Sequence, residues 1–272
     1  MQLALDQKGK PGMVAGLPRN EWLRGAGALP NASTRLFCFA HSGGGASLFR
    51  EWPGLFKEAG IEVCPVQLPG REERLREKPF EEIGPLIMEM ARNIQPFLDR
   101  PFALFGHSLG ALIAFSLASY LEENFALSPE YLFVSGCRAP RQNFNENPIA
   151  GLPRDAFIGQ VRRRYGGLPE SFLTSPALLD IFIPALRADF SLLENYDYAL
   201  DHPSDRLLDC PVRALGGESD RAVDEAELAL WKSHTRGSFK LRMFEGDHFF
   251  IRSRLPEVVS FIHEDLHPAN PT

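Results

Sequence analysis

The chain has 272 residues, 44% of them hydrophobic, which is enough to bury one sizeable core. Its 35 acidic residues against 29 basic ones give a formal net charge of -6, so no overall positive field attracts a phosphate backbone and we expect no nucleic-acid partner. The sequence contains neither a signal-peptide pattern nor an apolar run of the roughly 18 residues that suggest a membrane span. We therefore expect a cytoplasmic protein without membrane contacts.

The pattern of the chain changes near residue 34. Residues 1–33 are rich in Gly, Pro, Ala and Asn and lack a sustained hydrophobic period, which predicts a flexible N-terminal extension. From there to residue 268, short apolar runs alternate with longer amphipathic ones, as in a mostly parallel sheet with flanking helices. The predicted strands are 36–39, 62–66, 102–105, 131–135, 212–215 and 240–244, and the predicted helices are 47–59, 82–97, 109–123, 224–235 and 256–266.

One region, about 140–205, interrupts this alternation. It contains no convincing strand but two helix-like segments, 153–165 and 176–194, and it is rich in Phe and Leu. We predict an inserted helical lid over the carboxyl edge of the sheet. Five aromatic side chains of this lid either line a pocket or form the lid's own core: Phe144, Phe157, Phe172, Phe182 and Phe190.

The segment Gly106-His107-Ser108-Leu109-Gly110 matches G-x-S-x-G, directly after an apolar run and directly before a helical pattern. A serine on a sharp strand-to-helix turn needs a strained backbone, and the two glycines remove side chains that would clash there. The hydroxyl also lies at a helix N-terminus, where developing negative charge is favoured. This context predicts the nucleophile elbow of the α/β-hydrolase fold, with Ser108 as the nucleophile.

A serine nucleophile needs a base and an acid that orients the base, and in this fold the acid precedes the histidine in the chain. His248 follows the last predicted strand through a short loop and precedes the final helix, so we predict that it is the general base. Asp220 lies beyond the glycine turn that ends strand 212–215 and is our predicted acid, with Glu218 as the alternative. His234, late in a helix, is expected to be a C-terminal charge partner instead.

Acyl transfer also needs donors for the oxyanion, which in this fold are two backbone N–H groups. One belongs to Leu109, the residue after the nucleophile. The other should come from the loop after the first strand, where Ala40-His41-Ser42 is followed by three glycines. We assign it to Ser42, with Gly43 as the alternative. The glycines form neither G-x-G-x-x-G nor a Walker motif, which disfavours a phosphate-binding loop.

The sequence gives little indication of a metal site. Residues 263–267, His-Glu-Asp-Leu-His, fit the H-E-x-x-H pattern of zinc proteases, but Pro268 follows at once and no third ligand lies beyond. We expect no metal and no cofactor. Small buried thiols, rather than a disulfide or a metal site, are expected for the four widely spaced cysteines: Cys38, Cys64, Cys137 and Cys210.

With these residues located, the sequence resembles the type II thioesterases, stand-alone hydrolases that accompany polyketide synthases and nonribosomal peptide synthetases. Generic esterases and lipases lack the Pro-Gly-Arg and Gly-Asp-His-Phe-Phe segments in these places. Ala40 departs from the proline that is usual in the family, which should alter loop rigidity more than chemistry. Four segments carry the resemblance: 37–47 (FCFAHSGGGAS), 67–74 (QLPGREER), 106–110 (GHSLG) and 246–250 (GDHFF).

The resemblance implies a substrate and a partner. The substrate is an acyl, aminoacyl or peptidyl thioester on the phosphopantetheine arm of a carrier protein, and the role is editing of stalled or misprimed synthases. We expect a monomer that binds the carrier transiently. Carrier proteins of these pathways are commonly acidic, so Arg162, Arg163 and Arg164 of the lid form either a carrier-docking patch or a solvated helix face.

Three other functions remain open at the level of the sequence. The first two are a medium-chain fatty acyl-carrier-protein thioesterase and a small-molecule carboxylesterase, which use the same three catalytic side chains. The third is a catalytically silent scaffold that binds a synthase.

Overall fold

The structure, a computed structural model, describes residues 20–166 and 175–266. In these residues, parallel strands form one sheet of six, and every predicted strand is present with its ends shifted by at most two residues. The strands are β1 (Thr34–Phe39), β2 (Ile61–Pro65), β3 (Phe102–His107), β4 (Leu132–Ser135), β5 (Val212–Gly217) and β6 (Phe239–Phe244). Their order across the sheet is β2-β1-β3-β4-β5-β6.

Both faces of the sheet are buried. Alternate residues of β1 enter two separate cores, with Phe37 and Phe39 on one face and Leu36 and Cys38 on the other. Strands that are covered on both faces read as continuous apolar runs rather than alternating patterns. This explains why the sequence displays them as short hydrophobic blocks.

Helices cover the two faces. The long α3 (Leu109–Phe125) is buried along almost its whole length, and α2 (Ile83–Ile94) packs against it through an apolar stripe repeating every three or four residues. On the other face, α1 (Trp52–Phe56) and α9 (Leu255–Leu266) contribute to the second core. The helices of the described residues are α1 (Trp52–Phe56), α2 (Ile83–Ile94), α3 (Leu109–Phe125), α4 (Arg154–Tyr165), α5 (Pro176–Glu194), α6 (Tyr198–Asp201), α7 (Glu225–Ala229), α8 (Phe250–Ser253) and α9 (Leu255–Leu266).

Two predicted helices are shorter than expected. The segment 47–59 is a 3-10 turn, Ala46–Phe49, followed by the short α1, because Pro53 lacks an N–H and fits only in the first turn of a helix. The segment 224–235 begins with the predicted capping box of Asp224 and Glu227, but α7 soon gives way to a second 3-10 turn.

The described part of the N-terminal segment is packed rather than loose. Trp22 and Leu23 are buried, and Leu23 forms an antiparallel bridge with Val66 just beyond β2. The backbone N–H of Gln67 donates to the carbonyl of Trp22 at 2.8 Å. Residues 20–33 therefore differ from the flexible extension predicted for 1–33, of which residues 1–19 lie outside the described residues.

The region between β4 and β5 contains α4, α5 and α6 and, in its described part, no strand, in agreement with a helical insertion. Within 20–166 and 175–266, no helix is both long and apolar enough to cross a bilayer.

The order of the strands determines where a ligand can bind. The chain leaves β1 for β2 on one side and returns to β3 on the other, so the loops after β1 and β3 diverge at the carboxyl edge. In open α/β sheets, ligands bind at such a switch point. This is the edge that carries the G-x-S-x-G turn.

Two histidines are buried away from that edge. His202 and His234 pack around Phe115, with ring centroids 4.9 and 5.5 Å from it. Burial lowers the pKa of each to about 4. His234 is only 1% exposed, so it is a neutral core residue and not the charged helix-end partner predicted from the sequence.

These histidines predict that stability decreases in mild acid. The unfolded chain takes up protons near the ordinary histidine pKa of about 6.5, whereas the folded chain does so only near 4. Stability should therefore fall as the pH falls from 7 towards 4, and the decline should be shallower in His202→Gln and in His234→Gln. Urea unfolding midpoints at several pH values test this. Parallel pH profiles for all three proteins would contradict it.

Candidate active site

Ser108 lies on a strained turn between β3 and α3. Its φ of 56° and ψ of -123° belong to a region that non-glycine residues rarely adopt. A Cβ added at Gly106 would lie 2.1 Å from the carbonyl oxygen of Gly110, and one added at Gly110 would lie 2.2 Å from that of Phe39. The two glycines are therefore required by backbone contacts. The N–H of Ser108 donates to Ser135 O at 2.7 Å and ties the turn to β4.

The predicted base and acid are hydrogen-bonded to each other. His248 Nδ1 lies 2.7 Å from Asp220 Oδ2, and their side chains are 3% and 0% exposed. Asp220 Oδ1 accepts the N–H of Ala222 at 2.8 Å, so both carboxylate oxygens are fixed. An Nδ1–H donated to the carboxylate leaves Nε2 of a neutral imidazole as an acceptor. Glu218, the alternative acid, is exposed.

The loops that carry Asp220 and His248 contact each other because β5 and β6 are neighbours. A Cβ at Gly217 would lie 2.4 Å from Asp247 O, so only glycine permits this approach. The N–H of Ser219 donates to Gly246 O at 2.9 Å. The glycines after β5 therefore allow the acid loop to pack against the base loop.

His248 is surrounded by rings. The centroids of His107, Tyr165 and Phe249 lie 5.1, 5.1 and 5.3 Å from that of His248. Burial lowers the pKa of His107 well below its ordinary value and that of His41 to about 4. Both rings are thus neutral at pH 7 and place no positive charge beside His248, the predicted base.

Ser42 and Leu109, the two predicted oxyanion donors, differ from Gly43 in whether the backbone N–H already has a hydrogen-bond acceptor. The N–H of Gly43 already donates to Asp189 Oδ2 at 2.6 Å. Among the described residues, no hydrogen-bond acceptor is found for the N–H of Ser42 or of Leu109. The geometry thus favours Ser42 over Gly43 as the second donor.

Two cavities in the described part of the chain meet at Ser108. The larger, about 210 Å³, begins at Ser108 and Leu109 and has a mixed lining that includes arginine, asparagine and glutamate side chains. The smaller, about 50 Å³, is mostly apolar and is lined by His248 and Ser42. Tyr165 of α4 and Phe190 of α5 line both, so the two lid helices lie over Ser108.

The lid phenylalanines divide between the two roles left open above. Phe144 lines the larger cavity, Phe182 the smaller and Phe190 both. Phe157 is fully buried and packs edge-on against Phe190 with centroids 5.6 Å apart, so it belongs to the lid's own core. Phe172 lies outside the described residues.

The three lid arginines are not equivalent. Arg162 and Arg163 are exposed on α4, whereas Arg164 is half-buried, donates to Asn147 O at 2.8 Å and lines the larger cavity.

The possible metal ligands have other contacts. The ring of His263 packs edge-on against Phe56 with centroids 4.5 Å apart, and its H-E-x-x-H partner His267 lies outside the described residues. The cysteines are buried and free of disulfides, as predicted. Burial raises the pKa of the Cys137 thiol to about 12, which makes it unreactive.

Two residues beside the site, Arg71 of the Pro-Gly-Arg segment and Asp189, were given no role from the sequence. Their side chains form a buried ion pair although they lie 118 residues apart in the chain. A signal was present, because Asp189 falls at helical spacing between Leu186 and Leu193 on the apolar face of α5. A carboxylate on such a face needs a buried partner.

Comparison with known proteins identifies the family. The profile of the thioesterase domain family matches residues 34–266. The chain belongs to this family. Gramicidin S biosynthesis protein GrsT from Aneurinibacillus migulanus is 39% identical over 247 residues, which cover 91% of this chain and 94% of GrsT.

Solved thioesterase structures share the fold. RedJ, a thioesterase from the prodiginine biosynthetic pathway in Streptomyces coelicolor, has a TM-score of 0.79 at 36% identity and covers 87% of this chain and 92% of its own. The type II thioesterase BorB from the borrelidin biosynthetic cluster has a TM-score of 0.75 at 32% identity, with the same coverage of both chains. The α/β-hydrolase fold, the hydrolytic class and the resemblance found in the sequence are thereby confirmed.

The hydrogen bond between Asp220 and His248 gives a direct prediction. Asp220→Asn should lower kcat for a thioester by about 10⁴-fold, because the imidazole loses the anion that orients it. Glu218→Gln, an exposed carboxylate two residues away, is the matched control and should retain wild-type kcat. The reverse outcome would assign the acid to Glu218.

Proposed function

We propose that this protein hydrolyses acyl, aminoacyl or peptidyl thioesters from the phosphopantetheine arm of carrier proteins and thereby edits stalled or misprimed polyketide and nonribosomal peptide synthases. The observation that supports the hydrolytic chemistry most is the 2.7 Å pairing of His248 with Asp220 beside the strained turn of Ser108. Similarity to GrsT and BorB supports the biosynthetic setting. In this proposal the protein is a cytoplasmic monomer that binds its carrier transiently.

In the first half of the proposed reaction, Ser108 Oγ attacks the thioester carbonyl carbon while His248 Nε2 accepts the hydroxyl proton. The N–H groups of Ser42 and Leu109 donate to the resulting oxyanion. The intermediate collapses, the C–S bond breaks, and the imidazolium returns the proton to the departing thiolate. The products are the free pantetheine thiol and an acyl ester of Ser108.

In the second half, His248 deprotonates a water molecule that attacks the ester carbonyl. The same two N–H groups stabilise the second oxyanion, and the proton passes from His248 to Ser108 Oγ as the acyl bond breaks. The carboxylic acid leaves and the enzyme is regenerated.

The two cavities suggest how the substrate lies. The leaving thiolate must be close to His248, which lines the smaller cavity, so the pantetheine arm belongs on that side of Ser108. The acyl group then occupies the larger cavity, which begins at Leu109. Its mixed lining is compatible with polar acyl and aminoacyl groups.

Exposed arginines on the lid supply a docking surface for an acidic carrier. The chain is acidic overall, with a net charge of -6. Arg162 and Arg163, which are adjacent and exposed, form a local positive patch on α4. Such charges steer association more than they add affinity. Arg164, held by Asn147 O, lines the larger cavity instead.

Comparison of substrates tests the proposed function. The same acyl group is presented on a carrier protein, as an N-acetylcysteamine thioester and as a simple carboxyl ester. We expect kcat/KM to be highest for the carrier and at least about 10²-fold lower for the ester. A preference for the ester would indicate a carboxylesterase, and no turnover of any substrate would indicate a scaffold. In a second comparison, decanoyl, acetyl and aminoacyl groups are each presented on the carrier, and a preference for decanoyl would indicate the fatty-acyl enzyme.

The docking surface makes a separate prediction. The double substitution Arg162→Ser and Arg163→Ser should raise KM for an acyl carrier and weaken its salt dependence, because long-range attraction is lost. Hydrolysis of the N-acetylcysteamine thioester, which has no carrier surface, should be unchanged. Equal losses on both substrates would indicate damage to the lid, and no loss on either would return these arginines to a solvated face.

A further inference from the structure

A buried ion pair joins the lid to the loop that follows β2. Arg71 Nη1 and Nη2 donate to Asp189 Oδ2 and Oδ1 at 2.6 and 2.8 Å, and the two side chains are 7% and 0% exposed. Asp189 belongs to the lid helix α5, and Arg71 belongs to the Pro-Gly-Arg segment. This is the bidentate geometry that makes a guanidinium–carboxylate pair strong and directional.

The same pair holds the loop after β1. Asp189 Oδ2 accepts the N–H of Gly43 at 2.6 Å, and Arg71 Nη1 donates to Gly44 O at 3.3 Å. Gly43 has a φ of 75°, and a Cβ there would lie 2.5 Å from the ring of Phe182 on α5. The backbone directly after Ser42 is therefore enclosed by the lid helix.

The far end of this loop is held by side chains of the same Pro-Gly-Arg segment. Gln67 Oε1 accepts the N–H of Ala46 at 3.0 Å, and Glu72 Oε1 accepts the hydroxyl of Ser47 at 2.5 Å. Three consecutive glycines give the loop high conformational freedom when it is not held. These contacts hold the loop at both ends.

We propose that Asp189, paired with Arg71, is a positioning residue that places the N–H of Ser42 for the oxyanion. The proposal rests on the proposed function, in which Ser42 is one of the two donors. Because Asp189 lies on α5, the oxyanion site is complete only when this lid helix packs against the loop. Stability alone does not explain the pair, since well-packed apolar residues often replace a buried ion pair without loss of stability.

The chain contains a matched control for this ion pair. Arg213 and Asp265 form a second bidentate pair, with Nε–Oδ2 and Nη2–Oδ1 distances of 2.7 and 2.8 Å and exposures of 8% and 13%. It joins β5 to α9, away from both cavities. Asp265→Asn therefore reproduces the chemical change of Asp189→Asn without touching the loop after β1.

The experiment compares Asp189→Asn, Arg71→Lys and Asp265→Asn. Each is measured for thermal stability, for kcat and KM on an N-acetylcysteamine thioester, and for inhibition by a trifluoromethyl ketone analogue, whose serine adduct carries an oxyanion. Asp189→Asn should lower kcat by about 10²-fold with KM within about threefold of wild type, and ketone affinity should fall in parallel. Arg71→Lys keeps the positive charge but loses the bidentate geometry of the guanidinium, so it should give smaller losses of kcat and of ketone affinity.

The control should lose stability but keep kcat within about threefold of wild type. The proposal is overturned if folded Asp189→Asn retains kcat, or if its kcat falls while ketone affinity is unchanged. If Asp189→Asn does not fold, Arg71→Lys decides by the same two criteria. An active Ser108→Ala would overturn the proposed function itself, whereas an inactive Ser108→Ala together with a fully active Asp189→Asn would remove only the positioning role.

Discussion

The strained turn at Ser108 is the constraint on which the rest of the site depends. Its positive φ is possible because Gly106 and Gly110 have no side chains. The backbone of Gly106 can therefore approach that of Gly110, and the backbone of Gly110 can approach that of Phe39. The oxygen that a Cβ at Gly110 would meet belongs to Phe39, the last residue of β1. The turn is thus built against the strand whose following loop carries Ser42. The adjacency of β1 and β3 brings the proposed nucleophile and the proposed oxyanion donor of that loop together.

A rigid polar framework surrounds this turn. Both oxygens of Asp220 are hydrogen-bonded, and both oxygens of Asp189 are hydrogen-bonded as well, so each carboxylate fixes a neighbouring loop. The neutral rings of His41, which is half-buried, and His107, which is buried, complete the surroundings without adding charge. The chemistry of ester and thioester hydrolysis needs such fixed dipoles because they require no reorganisation in the transition state. The lid contributes one of these carboxylates, Asp189, so it is joined to this framework as well as covering Ser108.

The sequence predicted what is encoded locally. The strands were visible as apolar blocks, the elbow as glycines at fixed offsets, and Asp220 as the carboxylate beyond a glycine turn; its pairing with His248 agrees with that expectation. Features that depend on distant partners were not visible. Trp22 and Leu23 pack against a strand some forty residues away, and Asp189 pairs with a residue 118 positions distant. The contacts of Trp22 and Leu23 leave no period or motif in the sequence. The position of Asp189 on an apolar helix face indicates that it has a buried partner, but only the fold identifies that partner as Arg71.

In the proposed reaction, the acyl group passes through Ser108. Rapid mixing of the enzyme with an acyl carrier, acid quenching and mass analysis of the peptide that contains Ser108 detect this intermediate. We expect a transient peptide whose mass is increased by the acyl group on Ser108, together with loss of acyl from the carrier. In Ser108→Ala, both the modified peptide and the release of acyl from the carrier should be absent. Rapid deacylation of the carrier by Ser108→Ala would show that the acyl group does not pass through Ser108.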